Sequence, residues 1–267
     1  LCQVTEDRKL DDIARLGLQI RSDGVVVAGK RLRDTEKAIL GTDRAAAGMM
    51  STFRLLGPVM AAVVGAFSVR SLIEMSSAWT DLNSRVGIAV GSMDEASSVM
   101  ARLSDMARRT YSPLVQTAET FLGNATALRE LGYSTEQTLD YVEAINNALV
   151  VSGAKGQRAE SVMNALNKAM GLGKLSGENL NTVLASGGRI TEVLAAHMGV
   201  TTNELRKLGS EGKLTADVLY NALVGALDEL REQADSMPAT INDAFVLMGN
   251  AVFGFVGRLD EATGASS

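Results

Sequence analysis

Residues 173–180, GKLSGENL, and residues 212–219, GKLTADVL, share the pattern G-K-L-[ST]-x-[ED]-x-L, 39 positions apart (from 173 to 212). Ser176 and Thr215 are residue types that cap helices, because a hydroxyl oxygen accepts a hydrogen bond from a free backbone N–H of the first turn. The acidic residue two positions later favours the positive end of the helix dipole. The pattern therefore predicts two helix starts, each preceded by a Gly-Lys-Leu turn.

Composition favours a helical core. Hydrophobic residues make up 46% of the 267 residues and aromatic residues 4%, so Ala, Leu, Val, Ile and the 12 Met must fill the core. The 26 Gly and 3 Pro are typical of many short helices closed by glycine caps. The single cysteine excludes an internal disulfide framework. Because the chain begins at Leu1, we expect it to be a segment of a longer protein.

The N-terminal region carries the best β signal. Residues 10–29 contain two apolar runs, LGLQI and VVVAG, around Asp23-Gly24, a pair that favours a hairpin turn. A charged helical pattern follows to about residue 50. Residues 1–54 are therefore predicted to form a β-hairpin plus a charged helix, an arm for oligomerisation or assembly. A lone hairpin is marginally stable, so we expect a partner strand from another copy or from sequence outside this chain.

Two uncharged runs follow, at residues 55–69 and 244–257. A membrane-spanning helix needs about 20 apolar residues. The first run is shorter and is interrupted by two glycines and a proline, so residues 55–69 are predicted to be an apolar connecting segment, buried or at an interface. Transient contact with a host membrane is left open.

Residues 70–262 read as one helix after another. Ser92 and Ser134 fit the capping box, in which Glu or Gln follows three residues later. The connections are short and contain glycine, as in antiparallel helical hairpins. The fold class is mainly α: an array of short antiparallel helical hairpins with a small N-terminal β-hairpin. Helices are predicted near 70–86, 94–110, 113–131, 135–151, 157–171, 177–185, 190–198, 202–208, 215–235 and 238–262.

The sequence offers little chemistry. There is one histidine, His197, whose surroundings indicate a structural role. The sequence has no G-x-S-x-G, no Walker A loop and no H-E-x-x-H. Each Asp and Glu is assigned to a helix cap or a solvated helix face. We expect no catalytic residue, no metal ligand and no cofactor.

A helix-turn-helix is the stronger rival interpretation. Residues 191–208, TEVLAAHMGVTTNELRKL, place Gly199 and Val200 in the turn and Leu205 inside the second helix. Reading DNA also requires cations, because phosphate contacts dominate affinity. The second helix offers Arg206 and Lys207, in a chain whose net charge is −5. We therefore expect a packing unit with no specific nucleic acid as partner.

Residues 170–223 resemble the tape measure domain of long-tailed bacteriophages. The pattern E-L-[RK]-K-[LM]-G-S-E-G-K-[IL]-T is intact at residues 204–215. The resemblance covers about 70–260 well and 1–69 loosely, and defines 70–262 as the helical tape measure domain. The structural motif residues are Gly173, Lys174, Leu175, Ser176, Gly199, Val200, Glu204, Leu205, Gly209, Ser210, Gly212, Lys213, Leu214 and Thr215.

The resemblance implies mechanical work. A tape measure protein sets tail length, templates polymerisation of the tail tube and leaves the tube ahead of the genome. The implied partners are the tail tube protein, tail assembly chaperones and other copies of the chain. The implied locations are the virion tail and, during assembly, the host cytoplasm. Family members are usually longer, so this chain corresponds to an N-terminal portion. A DNA-binding regulator and a membrane-active module remain the alternatives.

Overall fold

A computed structural model describes residues 69–263 of the chain. Within that range the protein forms eleven α-helices and no strand, apart from an isolated β-bridge between Lys174 and Thr215. The helices are α1 Val69–Val90, α2 Met93–Arg109, α3 Leu114–Glu130, α4 Thr135–Val151, α5 Gln157–Gly171, α6 Gly177–Ser186, α7 Arg189–Met198, α8 Thr202–Ser210, α9 Ala216–Gly225, α10 Leu227–Asp235 and α11 Ile241–Thr263.

The mainly helical class is confirmed, whereas the predicted hairpin and residues 55–68 of the predicted apolar segment lie outside the described residues. One predicted helix is divided in two. The range 215–235 breaks at Ala226, which ends α9 and caps α10. The backbone N–H of Leu230 then bonds to the carbonyl of Ala226 at 2.9 Å and restarts the helix. Gly225 immediately precedes the break. A glycine in the interior of a helix is less favourable than alanine by about 1 kcal/mol, so it weakens the predicted helix at this point.

The local capping signals hold to different degrees. Ser134 and Gln137 form a complete capping box: each side chain accepts a hydrogen bond from the other residue's backbone N–H. Ser92 makes one half of its predicted box, accepting from the N–H of Glu95 at 3.4 Å. Pro113 lies one residue outside α3, as its N-cap, rather than just inside the helix.

Residues 77–254 form one compact unit, in which α4 is the central helix. It packs against α2, α3, α7, α9 and α10. Ten consecutive residues, 141–150, are buried, so α4 has no solvated face over this stretch. A helix surrounded in this way must bury whatever polar side chains it carries.

The buried apolar side chains form two clusters on either side of α4. The large cluster is formed by the helices from α4 through α10 and also includes Leu128 of α3. The small cluster joins α1, α2 and α3 and includes Leu139 and Val142 of α4. Both hydrophobic groups are built mainly of aliphatic side chains, as the low aromatic content predicts.

Candidate functional site

The two Gly-Lys-Leu segments lie side by side. The N–H of Leu175 donates to the carbonyl of Leu214 at 2.7 Å, and the N–H of Ala216 donates to the carbonyl of Gly173 at 2.9 Å. These bonds flank the antiparallel bridge between Lys174 and Thr215. The two copies of the repeat therefore pair with each other, and we call this pairing the clasp.

Each position of the repeat has its own physical task in the clasp. Gly173 and Gly212 have φ of +73° and +71°, a left-handed conformation that glycine adopts without strain. Leu175 and Leu214 are fully buried in the large cluster. In each copy the lysine between the glycine and the leucine, Lys174 or Lys213, is exposed to solvent. The clasp closes the segment from α6 to α8 into a loop that returns to its own start.

The two copies differ at their caps. Thr215 caps α9 as predicted, because its hydroxyl accepts a hydrogen bond from the N–H of Val218 at 3.3 Å. The predicted cap at Ser176 is wrong, since its side chain makes no capping hydrogen bond. Gly177, directly after it, has φ of +57° and directs the start of α6 away from the Ser176 hydroxyl. A serine in the cap position is not enough when the next residue is left-handed.

Helices α7 and α8 form the predicted helix-turn-helix. Gly199 ends α7 in the left-handed conformation, and the N–H of Val200 bonds to the carbonyl of Ala195 at 3.0 Å. Thr201 and Glu204 form a complete capping box at the start of α8. Leu205 of α8 is fully buried.

Gly209 lets α8 approach α6 closely. A Cβ atom on this residue would lie 2.2 Å from Cδ2 of Leu180 and 3.3 Å from the carbonyl oxygen of Leu175. The structure thus explains the glycine of the G-S-E-G-K pattern as a contact between helices. Next to it, the hydroxyl of Ser210 donates to the carbonyl of Lys207 at 2.7 Å and stays within its own helix.

The cations of α8 are engaged within the chain. Arg206 donates a hydrogen bond to the side chain of Asn181. Lys207 and Lys213 both pair with Glu211, at 4.0 and 2.8 Å. The hydrogen bond from Lys213 holds the pKa of Glu211 below its usual value. A recognition helix needs such cations for phosphates, so this geometry favours a packing unit.

One carboxylate of α4 is buried, where a helix cap or a solvated charge was predicted. Glu143 of α4 is buried, and its two oxygens accept hydrogen bonds from three arginines on two other helices. Arg231 of α10 binds both oxygens, at 2.8 and 3.0 Å. Arg102 and Arg109 of α2 bind one oxygen each, at 3.1 and 3.0 Å. We call these four residues the Glu143 cluster.

Burial by itself would raise the pKa of Glu143, but the hydrogen bond from Arg231 and the charges of Arg109 and Arg231 lower it to about 2. A carboxylate with such a pKa holds no proton at neutral pH and is a poor general base. Its geometry serves to join α2, α4 and α10. The prediction that every acidic residue is a cap or a solvated charge is therefore wrong for Glu143. The available signal was a run of eleven residues, YVEAINNALVV at 141–151, in which Glu143 is the one charged residue.

Between residues 69 and 263, no group of three His, Cys, Asp or Glu side chains is arranged to hold a metal ion. None of the helices in the same range combines the length and the apolar character that a bilayer span requires.

These features define a helical packing domain, held by the clasp, by helix caps and by the Glu143 cluster. The sequence model of the tape measure protein family matches residues 70–261, well over half of the chain. The chain therefore belongs to the tape measure protein family, whose place is the bacteriophage tail. No curated protein and no solved structure matches the chain.

Proposed function

We propose that this chain is a folded part of a tail tape measure that sets tail length, templates polymerisation of the tail tube and leaves the tube during genome delivery. The family match over residues 70–261 supports this role most directly. In this proposal the chain assembles with the tail tube protein, tail assembly chaperones and other copies of itself. Assembly takes place in the host cytoplasm, and contact with a host membrane is transient.

The motif residues contribute to this role as a fixed structure. The clasp, Gly199 and Gly209 hold α6, α7, α8 and α9 in one arrangement by backbone bonds and close helix contacts. An assembly template must present the same surface in every particle. Paired backbone segments suit that requirement, because few alternative backbone conformations satisfy the same bonds.

Deletion in the phage or prophage that encodes the chain tests the proposal. An in-frame deletion of residues 70–261 should abolish tails or leave tubes of unregulated length in electron micrographs of lysates. A Lys168→Met phage is the matched control, because Lys168 is an exposed residue of α5. Tails of normal number and length from the deletion phage would overturn the proposal.

In the same proposal the chain recognises no specific nucleic acid. A gel-shift titration of the purified chain at low salt should show no preference among duplex sequences. Sequence-specific binding that disappears in the Arg206→Ala, Lys207→Ala double variant would favour the DNA-binding regulator instead.

A further inference from the structure

A layer of polar side chains lies between the two hydrophobic clusters. One side is the N-terminal layer, formed by α1 from Ser77 onward with α2 and α3. The other side is the C-terminal layer, from α4 to α10. The polar layer consists of Arg102 and Arg109 of α2, Asn124 of α3, Glu143 and Asn146 of α4, Asn167 of α5 and Arg231 of α10.

Several contacts between the two layers pass through these side chains. Asn124 donates to the side-chain oxygen of Asn167 at 2.6 Å, joining α3 to α5. The amide of Asn146 lies 3.5 Å from the sulfur of Met106, joining α4 to α2. Glu143 joins α4 to the same helix α2 through Arg102 and Arg109. The boundary between the two layers is therefore polar at these positions, although Leu128, Leu139 and Val142 also make apolar contacts across it.

The polar layer is incompletely satisfied. The side-chain oxygens of Asn124 and Asn146 and the Nε of Arg102 are buried without a hydrogen-bond partner in the described part of the chain. A buried polar atom without a partner weakens the interface that buries it, and it gains hydrogen bonds to water when the interface parts. When the two layers separate at this plane, those atoms form hydrogen bonds with water, and most apolar contacts within each cluster are kept.

Helix α11 connects the two layers. At its start, Asp243 is buried and both its oxygens lie 2.6 and 2.7 Å from the ammonium of Lys155, in the loop between α4 and α5. Further along, Asn250 accepts from the N–H of Leu114 and donates to the carbonyl of Ser112, both at 2.8 Å. One end of this stretch is therefore tied to the C-terminal layer and the middle to the turn before α3.

An aromatic contact adds to the hold on the N-terminal layer. Phe253 of α11 meets Trp79 of α1 edge to face, with ring centroids 5.5 Å apart. Aromatic pairs of this geometry are attractive beyond the area they bury. The ion pair between Lys155 and Asp243 differs from the aromatic contact in its exposure to solvent: the Asp243 carboxylate is buried, but the Lys155 side chain is 42% exposed.

From these contacts we propose that the domain opens along the polar layer, separating the N-terminal from the C-terminal layer while most of each hydrophobic cluster stays together, and that α11 is the strap that holds it closed. Leu128 of α3 and Leu139 and Val142 of α4 part from their clusters in this opening. The inference concerns the mechanics of the domain and does not rest on the proposed function. In a tape measure it provides one defined place at which the fold elongates.

Thiol labelling of buried cysteines in the full chain tests the opening plane. In a Cys2→Ser background, Asn124→Cys and Asn146→Cys report on the polar layer. The matched controls are Ala118→Cys and Ala144→Cys, on the same two helices but inside the clusters, and all four parent residues are fully buried. Labelling rates are measured in native buffer and in low urea, and the urea midpoint of each variant corrects for its stability.

The polar-layer cysteines should label at least about 10-fold faster than the controls, with a smaller urea dependence, as expected of partial opening. Equal rates at all four positions, with the urea dependence of global unfolding, would overturn the proposal. Fast labelling of the two controls would also overturn it, because the clusters would then loosen before the plane opens. Either polar-layer position suffices if the other variant does not fold.

The strap is tested with Lys155→Met, for which Lys168→Met is the control because Lys168 is also an exposed lysine, at α5. Loss of the Lys155 bond should raise labelling of polar-layer and control cysteines by the same factor, roughly 10-fold, because the strap is released in both opening and global unfolding. Faster labelling of the cluster controls alone would show that α11 stays attached when the layers part, and would overturn its role as the strap. Lys168→Met should change neither rate.

Discussion

The clasp and the Glu143 cluster both join parts of the chain that are distant in sequence, but they do so by different physics. The clasp uses two backbone hydrogen bonds and two buried leucines, Leu175 and Leu214. The Glu143 cluster uses charge, in that one buried carboxylate receives four hydrogen bonds from arginines on α2 and α10. Contacts of the first kind repeat a local pattern, whereas contacts of the second kind depend on which helices become neighbours.

The difference sets what each region contributes. Burying apolar side chains stabilises in any packed arrangement of similar shape. A buried carboxylate stabilises the fold only in an arrangement that places cationic partners next to it, and it destabilises every arrangement that lacks those partners. The clasp should therefore carry more of the stability of the fold, and the Glu143 cluster more of the choice among helix arrangements.

The largest effect is expected at the clasp. Leu214→Ala should lower the free energy of unfolding by about 4 kcal/mol, because a fully buried leucine loses both its burial and its packing. Leu172→Ala is the matched control, since Leu172 is 69% exposed just before the first repeat. Urea denaturation followed by circular dichroism measures both. A loss in Leu214→Ala no greater than in the control would show that the clasp is not part of the core.

The second effect concerns Glu143. Its pKa is lowered to about 2 from a usual value of 4.5, so the carboxylate stabilises the fold above pH 4.5 and loses that contribution as the pH falls towards 2. Glu143→Gln should lower the free energy of unfolding by about 2 to 3 kcal/mol at pH 7. The difference from the wild type should shrink on acidification, because the protonated glutamate then resembles glutamine.

Denaturation curves from pH 7 down to pH 2.5 measure that difference. Glu160→Gln is the control, since it replaces an exposed carboxylate of α5 and should stay within about 0.5 kcal/mol of the wild type. A Glu143→Gln deficit that does not vary with pH would mean that lost packing, not charge, causes it.

The contrast explains how much could be predicted from the sequence. Helix positions, the capping boxes at Ser134 and Thr201 and the turn at Gly199 follow from residues close together in the chain. The repeat was visible in the sequence, but the pairing of its two copies was not. The residues around Gly173 do not determine which distant segment of the chain will pair with them. The sequence therefore indicated the parts of the clasp and left their contact to the structure.

The Glu143 cluster could not be predicted in the same way. Arg102 and Arg231 stand in amphipathic helices where an exposed arginine is ordinary, and Glu143 resembles any helical glutamate until its neighbours are known. Burial of α4 on all sides is a tertiary property. The wrong prediction of a cap at Ser176 has a local cause. The sequence shows that residue 177 is a glycine, but it does not show that this glycine adopts the left-handed conformation.

A third effect separates the glycines that pack from those that end helices. Gly209→Ala should lower the free energy of unfolding by about 1 to 2 kcal/mol, because the new methyl group overlaps the buried side chain of Leu180. Gly171→Ala, at the end of α5 with no atom within 4 Å of the added Cβ, should instead leave stability unchanged or raise it by up to about 1 kcal/mol. Thermal denaturation of both variants distinguishes them by sign. A stabilising Gly209→Ala would mean that α6 and α8 move apart at little cost.

The smallest effect compares the two copies of the repeat directly. Thr215→Ala removes the hydroxyl that accepts from the N–H of Val218 and should lower the free energy of unfolding by about 1 kcal/mol. Ser176→Ala removes a hydroxyl that makes no capping bond, and its effect should be close to zero. The two positions share a sequence pattern, so a rule based on the pattern alone assigns them equal costs. Equal losses in urea denaturation would show that Ser176 caps α6 in solution. A loss confined to Thr215→Ala would show that only the second copy of the repeat ends in a working cap, so that the feature shared by both copies is their pairing and not their capping.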